Sequence, residues 1–357
     1  MRVMIAPDSF GDTLTAADAA HAIAKGWASV RQQDELELAP QSDGGPGFVE
    51  VLASRIGTVQ VADVDGPLGT PVQARWLLDG TAAYIESAQA CGLHLLDGPP
   101  SPLSALKASS YGVGQLIDAA IGSGARTIFV GLGGSSCTDG GRALIRALGG
   151  LGSAVARLAG INLVAASDVE NPLLGEWGAA RVFGPQKGAD TETVERLEEL
   201  NTDWAAVLSA AGHDVANRPG AGAAGGLGAA LFALGGTQQP GAVVVAERTG
   251  QQELLETVDL VLTGEGKFDS QSLRGKLVTR IAAAGGATGV ETIVLAGQVT
   301  LTEDELASAG IDAAHSISEF AGSVELAMSD AANQLELLAA RIADEVADSA
   351  VNPRRRA

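Results

Sequence analysis

Short, unbroken apolar runs alternate along the chain with longer stretches in which apolar residues recur every three or four positions. The runs at residues 3–6, 127–131, 162–167, 258–263 and 291–296 have the length and apolar character of strands buried on both faces, as parallel strands are. Residues 35–39 alternate acidic and apolar side chains like a second strand. The longer stretches predict helices. Thr15 caps one that carries Ala19, Ala20, Ile23, Ala24 and Trp27 on one face, and residues 142–148 form another. Residues 191–212 predict a long amphipathic helix with Val194, Leu197, Leu200, Trp204 and Val207 facing inward. A last helix is predicted over residues 323–348, its stripe made of Val324, Met328, Ala331, Leu335, Leu338, Ile342 and Val346. Residues 58–85 differ in texture: alternating runs parted by Gly/Pro turns predict an antiparallel meander and mark an inserted second domain.

Composition narrows the class. Aromatic residues make up only 4%, which with the strand–helix alternation favours an α/β enzyme over a β-sandwich. The 43 acids against 23 bases leave a net charge of −20, which argues against nucleic acid as the main partner, because phosphate backbones need Lys/Arg faces. A small anionic substrate then needs a local cluster of cations or a bound metal. Cys91 and Cys137 are too few for a disulfide framework. The chain starts in strand-like sequence without an apolar leader, and no apolar run is long enough to span a bilayer, so a soluble cytoplasmic protein is expected.

The run IFVGLGGSSCTDGG, residues 128–141, is the richest in chemistry. A strand stops at Gly131; Gly133, Gly134, Ser135, Ser136, Thr138 and Asp139 follow, and then a helix begins. Such a unit aims backbone N–H groups at one spot, which suits a phosphate. Its hydroxyls and carboxylate also suit Mg²⁺, which prefers oxygen ligands and shares them with phosphate. The structural alternative is a tight turn whose glycines only satisfy backbone geometry. Asp43-Gly44-Gly45 repeats the acid–diglycine pattern of residues 139–141, and Asp168 follows a strand, where open α/β sheets bind ligands. Lys187 lies between glycines, where a lysine can neutralise a transferring phosphoryl group. Glu265 is flanked by glycines past another strand, with Asp269 and Lys276 beyond it. Gly220, Gly222 and Gly225 follow a polar run rather than a strand, so they are read as close packing or backbone approach to a ligand and not as a dinucleotide site. No Walker A loop and no G-x-S-x-G elbow occur, and the four histidines lack metal-ligand spacing. Cys137 is either activated by the loop's dipoles or simply a small residue that fits.

Together these segments resemble the glycerate kinase family of the bacterial glycerate 2-kinase type. The likeness rests on IAPDSF near the start, SDGG at 42–45, IESAQACGL at 85–93, SYGVGQLI, GLGGSSCTDGG, SDVENPLLG, FGPQKGA, PGAGAAGGLGAAL and LVLTGEGKFDSQSLRGK, in that order over nearly the whole chain. The resemblance implies two α/β domains with a cleft between them, one Rossmann-like with a parallel sheet (residues 1–45 plus 250–357) and one inserted mixed α/β domain (46–249). It implies ATP with Mg²⁺ as donor and a small hydroxy acid, D-glycerate, as acceptor, and it leaves a homodimer open. Residue by residue it points to Asp8, Ser9, Asp43, Asp139, Asp168, Asn171, Lys187, Glu265, Asp269 and Lys276. The roles expected are phosphate binding for Gly133, Gly134, Ser135 and Ser136, Mg²⁺ for Asp139 and Glu265, the transferring phosphoryl for Lys187, and the base for Asp168 with Asp43 as runner-up.

Three positions depart from the family's usual motifs. Gly11 stands where a lysine is usual, Pro46 where a glutamate is usual, and Thr138 where asparagine precedes Asp-Gly-Gly. The chain also reads as shortened between Leu148 and Ile161. These changes keep two alternatives open: a kinase for a different small hydroxy or sugar acid, and a non-catalytic member that binds a nucleotide or metabolite.

Overall fold

The protein is described by a computed structural model covering residues 1–273 and 277–351, with side chains of the last helix to Ala347. Thirteen strands occur among the described residues: β1 (Arg2–Pro7), β2 (Glu35–Leu38), β3 (Thr58–Asp65), β4 (Pro71–Asp79), β5 (Ala82–Glu86), β6 (Thr127–Gly131), β7 (Asn162–Ala166), β8 (Thr237–Gln239), β9 (Leu260–Gly264), β10 (Lys267–Phe268), β11 (Glu291–Ala296), β12 (Gln298–Val299) and β13 (Ala313–Ser316). The chain divides into two compact units, Met1–Ser42 with Val245–Ala357 and Asp43–Val244. No helix among the described residues is long and apolar enough to cross a membrane.

The first unit is a doubly wound α/β layer structure. Its five-stranded sheet runs β13-β11-β9-β1-β2, and every pair in it is parallel. Alternate residues face opposite layers, as the pleat requires. Val3, Ile5, Ile293 and Leu295 join Ile23 and Trp27 of the helix Ala16–Val30 and Leu335, Leu338 and Ile342 of the helix Ala331–Val351. On the other face Val294 and Ala296 meet Val278 and Ala282 of the helix Leu277–Thr288. Chain order reverses between β1 and β9, so this unit has its topological switch point there, and in such sheets the crevice outside the carboxyl ends of those strands is the ligand position.

The second unit carries a mixed sheet, β3-β4-β5-β6-β7-β8. The meander β3-β4-β5 is antiparallel, as its alternation predicts, and β5 through β8 are parallel. Register partners Tyr84 and Phe129 stack with ring centroids 5.0 Å apart, and Phe48 meets Tyr84 edge-on at 6.4 Å. This trio anchors the helix Phe48–Ala53 against β5 and β6 and so sets the height of the Asp43-Gly44-Gly45 segment before it.

Two helices differ from expectation. The helix Thr191–Ala210 starts at Asp190, whose carboxylate accepts from the Thr193 N–H, but its buried stripe is Val194, Leu197, Asn201 and Leu208. Val207 is 54% exposed. Steps of seven from Val194 reach Asn201 and then Leu208, and a polar residue at 201 hides that face from a hydrophobicity reading. The last predicted helix is two, Val324–Ser329 and Ala331–Val351. Asp330 breaks it by accepting from the side chains of Asn333 (2.8 Å) and Gln334 (2.9 Å), which leaves Val324 and Met328 exposed instead of inward. Truncating Leu208→Ala is expected to cost about 2–4 kcal/mol by denaturant unfolding, and Val207→Ala less than about 0.5; equal losses would restore the original stripe.

Candidate functional site

In the second unit the carboxyl ends of β5, β6 and β7 are crossed by the Asp43-Gly44-Gly45 segment, backbone on backbone. A Cβ on Gly44 would lie 2.5 Å from the Ala166 carbonyl oxygen, and one on Gly133 2.2 Å from the Gly45 Cα, so neither position admits a side chain. The Gly133 N–H donates to the Gly44 carbonyl (3.1 Å) and closes the contact. Asp43 is exposed, one oxygen accepting from the Gly45 N–H (2.9 Å). Asp168, two residues past β7, is exposed as well. Asn171 is turned to its own loop, donating to the Trp177 carbonyl (2.8 Å).

The glycine loop is anchored from beneath. Residues 134–136 lie along residues 91–93: Leu93 N–H donates to the Gly134 carbonyl, and both the N–H and the hydroxyl of Ser136 donate to the Cys91 carbonyl. Lys187 is buried, its ammonium donating to Ser135 Oγ (3.0 Å) and the Cys137 carbonyl (2.6 Å). Burial pushes its pKa down, against the pull of neighbouring groups that include Asp139. Expected on a loop and in contact with a phosphoryl group, Lys187 instead closes a 3₁₀ turn, Pro185–Lys187, and holds the loop from inside. The hydroxyls of Ser135 and Ser136 are likewise spent inward, and the loop's exposed residue is Gly134. The Cys137 thiol lies 3.7 Å from that of Cys91, and this contact together with burial pushes its pKa well up. It therefore stays a thiol, and the activated-cysteine alternative does not hold.

Asp139 has a bracing geometry. One carboxylate oxygen accepts from the N–H and hydroxyl of Ser110 and the Ala143 N–H, the other from the Gly141 N–H. These four bonds tie the start of the helix Arg142–Ala147 to residue 110, three on one carboxylate oxygen and one on the other. Among the described residues no group of three His, Cys, Asp or Glu could hold a metal ion. The glycine run at 222–228 packs against this loop. Ala224, Gly225 and Gly226 take φ of 51°, 70° and 97°, and a Cβ on Gly225 would meet the Cys137 carbonyl at 2.0 Å. Trp204 donates to the Gly140 carbonyl (3.0 Å) from the neighbouring helix.

Glu86 is a site residue that the residue pattern did not single out. It ends β5, is buried, and accepts from the Gly47 and Val49 N–H groups, pinning the segment after Asp43. Glu86 lies in IESAQACGL and Ser110, which braces Asp139, in SYGVGQLI, but neither segment gave these residues a role.

In the first unit, Pro7 and Gly264 are register partners, so Asp8 and Glu265 leave adjacent strand ends at the switch point. Asp8 accepts from the Ser9 N–H (2.6 Å) and Glu265 from the Gly297 N–H through its carbonyl. Asp269 pairs with Lys267 (3.2 Å) and accepts from the Gln271 N–H. Lys276 lies outside the described residues. A mostly apolar cavity of about 220 Å³ opens at these strand ends, lined among others by Phe10, Gly11, Gln298, Ile317, Val324 and Met328. The apolar side chains left uncovered by the break at Asp330 thus border a cavity.

Burial pushes the Glu86 carboxyl up from its ordinary value, against the pull of its hydrogen bonds. The folded state therefore holds this proton more tightly than the unfolded chain. Its stabilisation is complete below pH 4.5 and is lost as pH rises through the folded-state value. Glu86→Gln keeps an acceptor and removes the charge. Wild-type Tm is expected to fall relative to that variant as pH climbs through this window; parallel melting curves would show that the burial cost is absent.

A family model described as Glycerate kinase family matches residues 3–152 and 150–347. The chain is 57% identical over 352 residues to an uncharacterized protein of Mycobacterium bovis, covering 98% of this chain and 92% of the relative. It is 37% identical to the glycerate 2-kinase of Escherichia coli, covering 91% and 92%, and 38% identical to a glycerate kinase of Halalkalibacterium halodurans, covering 96% and 97%. A crystal structure assigned provisionally as glycerate kinase 2 from Salmonella typhimurium LT2 superposes with a TM-score of 0.78 at 33% identity, covering 98% and 99%. With the family model spanning nearly the whole chain, this protein belongs to the glycerate kinase family.

Proposed function

We propose that the protein transfers the γ-phosphoryl group of ATP, bound with Mg²⁺, to a hydroxyl of D-glycerate, giving 2-phosphoglycerate. The observation that carries this reading is the grouping at the carboxyl ends of β5, β6 and β7: two exposed carboxylates, Asp43 and Asp168, beside the exposed turn at Gly134. In-line phosphoryl transfer asks for positioning and charge neutralisation more than for covalent chemistry. The N–H groups of Gly134 and Ser135 form no hydrogen bond among the described residues, which suits them to phosphoryl oxygens. Lys187 acts through them: its ammonium bonds only to neutral oxygens and adds positive potential beneath the loop. Asp168 is assigned to orient and deprotonate the acceptor hydroxyl, with Asp43 as the alternative.

The first unit offers the features expected for the nucleotide. An apolar cavity at a topological switch point suits a purine base. Asp8 and Glu265 are the carboxylates that fit Mg²⁺, which needs only one or two once phosphates supply the remaining oxygens. When bound, the ion would neutralise charge on those phosphates. A different small hydroxy acid is the second reading, and Pro46 favours it: its ring lies against Gly134, 2.7 Å from where a Cβ would stand, in place of the family's usual glutamate.

A coupled assay for ADP with Mg²⁺-ATP and D-glycerate tests the proposal. Turnover of about 1–100 s⁻¹ is expected, as for kinases generally. Asp168→Asn should lower kcat by about 100-fold or more. No glycerate-dependent ADP would refute the substrate, and an unchanged kcat in the variant would remove Asp168 as the base.

A further inference from the structure

In a chain of net charge −20, a cluster of cations outside any ion pair is informative. One occurs in the second unit. A cavity of about 270 Å³ is lined by Lys107 at the end of the helix Pro102–Lys107, by Thr138 and Asp139, by Arg142 and Arg146 of the helix Arg142–Ala147, and by Leu197 of the helix Thr191–Ala210. Its lining includes none of Asp43, Gly133, Gly134 or Asp168, so it is not the strand-end site.

Four features make it a built site. None of its three cations forms an ion pair among the described residues. Both exposed guanidinium groups lie near rings: Arg142 is 5.7 Å from the Trp204 centroid and donates to the Leu200 carbonyl (3.1 Å), and Arg146 is 5.2 Å from the Tyr111 centroid. The two arginines stand four residues apart on one helix, a spacing at which like charges repel and destabilise the helix. Finally, Thr138 is 1% exposed and its hydroxyl has no hydrogen-bond partner among the described residues, an unmet group where burial normally demands one. The Asp139 carboxylate, also in the lining, accepts from Ser110, Gly141 and Ala143, and its single charge leaves the three cations in excess.

We propose that this cavity binds a small organic phosphate, a dianionic phosphomonoester on a short carbon skeleton. Two guanidinium forks and a lysine match the several oxygens of such a group. The volume falls just below the ~300–1,000 Å³ common for ligand pockets, which suits a small metabolite. The bound dianion relieves the repulsion between Arg142 and Arg146. Its site adjoins the glycine loop through Thr138 and Asp139, so occupancy stiffens the segment that carries Gly133 and Gly134.

Inorganic phosphate, titrated against chloride at constant ionic strength without nucleotide or glycerate, is the probe. Calorimetry and thermal shift on the full chain are expected to show saturable binding that raises Tm. Arg142→Gln and Arg146→Gln should each weaken it about tenfold or more, the scale of one lost charge-assisted contact. Lys107→Gln, at an exposed helix end, should weaken binding without changing Tm in chloride, which separates loss of the site from loss of the fold. Absence of saturable phosphate binding to the wild type would overturn the proposal. So would equal binding by all three variants, which would place the phosphate at the glycine loop or elsewhere.

Discussion

One buried cation organises the strand-end site. Taking an ammonium out of water carries a cost of several kcal/mol. Lys187 offsets part of it with two hydrogen bonds, to the Ser135 hydroxyl and the Cys137 carbonyl. Bonds from a charged donor are among the stronger ones, about 1.5–3 kcal/mol each. Because both acceptors lie in the glycine loop, the loop cannot shift without leaving the charge unsatisfied. The ammonium thus acts as a fixed post around which residues 133–137 are folded, with Asp139, braced by Ser110, marking where the loop gives way to helix.

A second constraint is the absence of side chains. Gly44 against Ala166, Gly133 against Gly45 and Gly225 against Cys137 are contacts of backbone with backbone, each too close for a Cβ. They bring three segments distant in sequence, around residues 43, 133 and 225, into one layer above the parallel strands. Glu86 fixes the first of these from below through the Gly47 and Val49 N–H groups. What this packing leaves on the outside is Asp43, Asp168 and the turn at Gly134, the groups on which the proposed phosphoryl transfer rests.

Much of this was legible in the chain itself. Strands announced themselves because parallel strands are apolar throughout, and the meander at 58–85 because its alternation differs. The acid–diglycine units and the glycine loop marked the close backbone crossings because few residue types tolerate such paths. Orientation was not legible. Nothing in FGPQKGA says that Lys187 points inward, and nothing in the loop says that Ser135, Ser136 and Asp139 turn to the protein while Gly134 turns out. Those choices are made by partners far along the chain: Cys91, Ser110 and the helix at 191–210. The same limit explains the helix errors. Asn201 occupies a buried face that hydrophobicity assigns to Leu200, and Asp330 caps a helix inside what reads as one continuous stripe.

The most direct test of the buried post is hydrogen exchange on Lys187→Met. Faster exchange is expected at the Gly133, Ser136 and Leu93 amides, which close the loop, while β5, β6 and β7 keep their protection. Unchanged protection at those three amides would contradict the account, because the loop would then hold its shape without the charge beneath it.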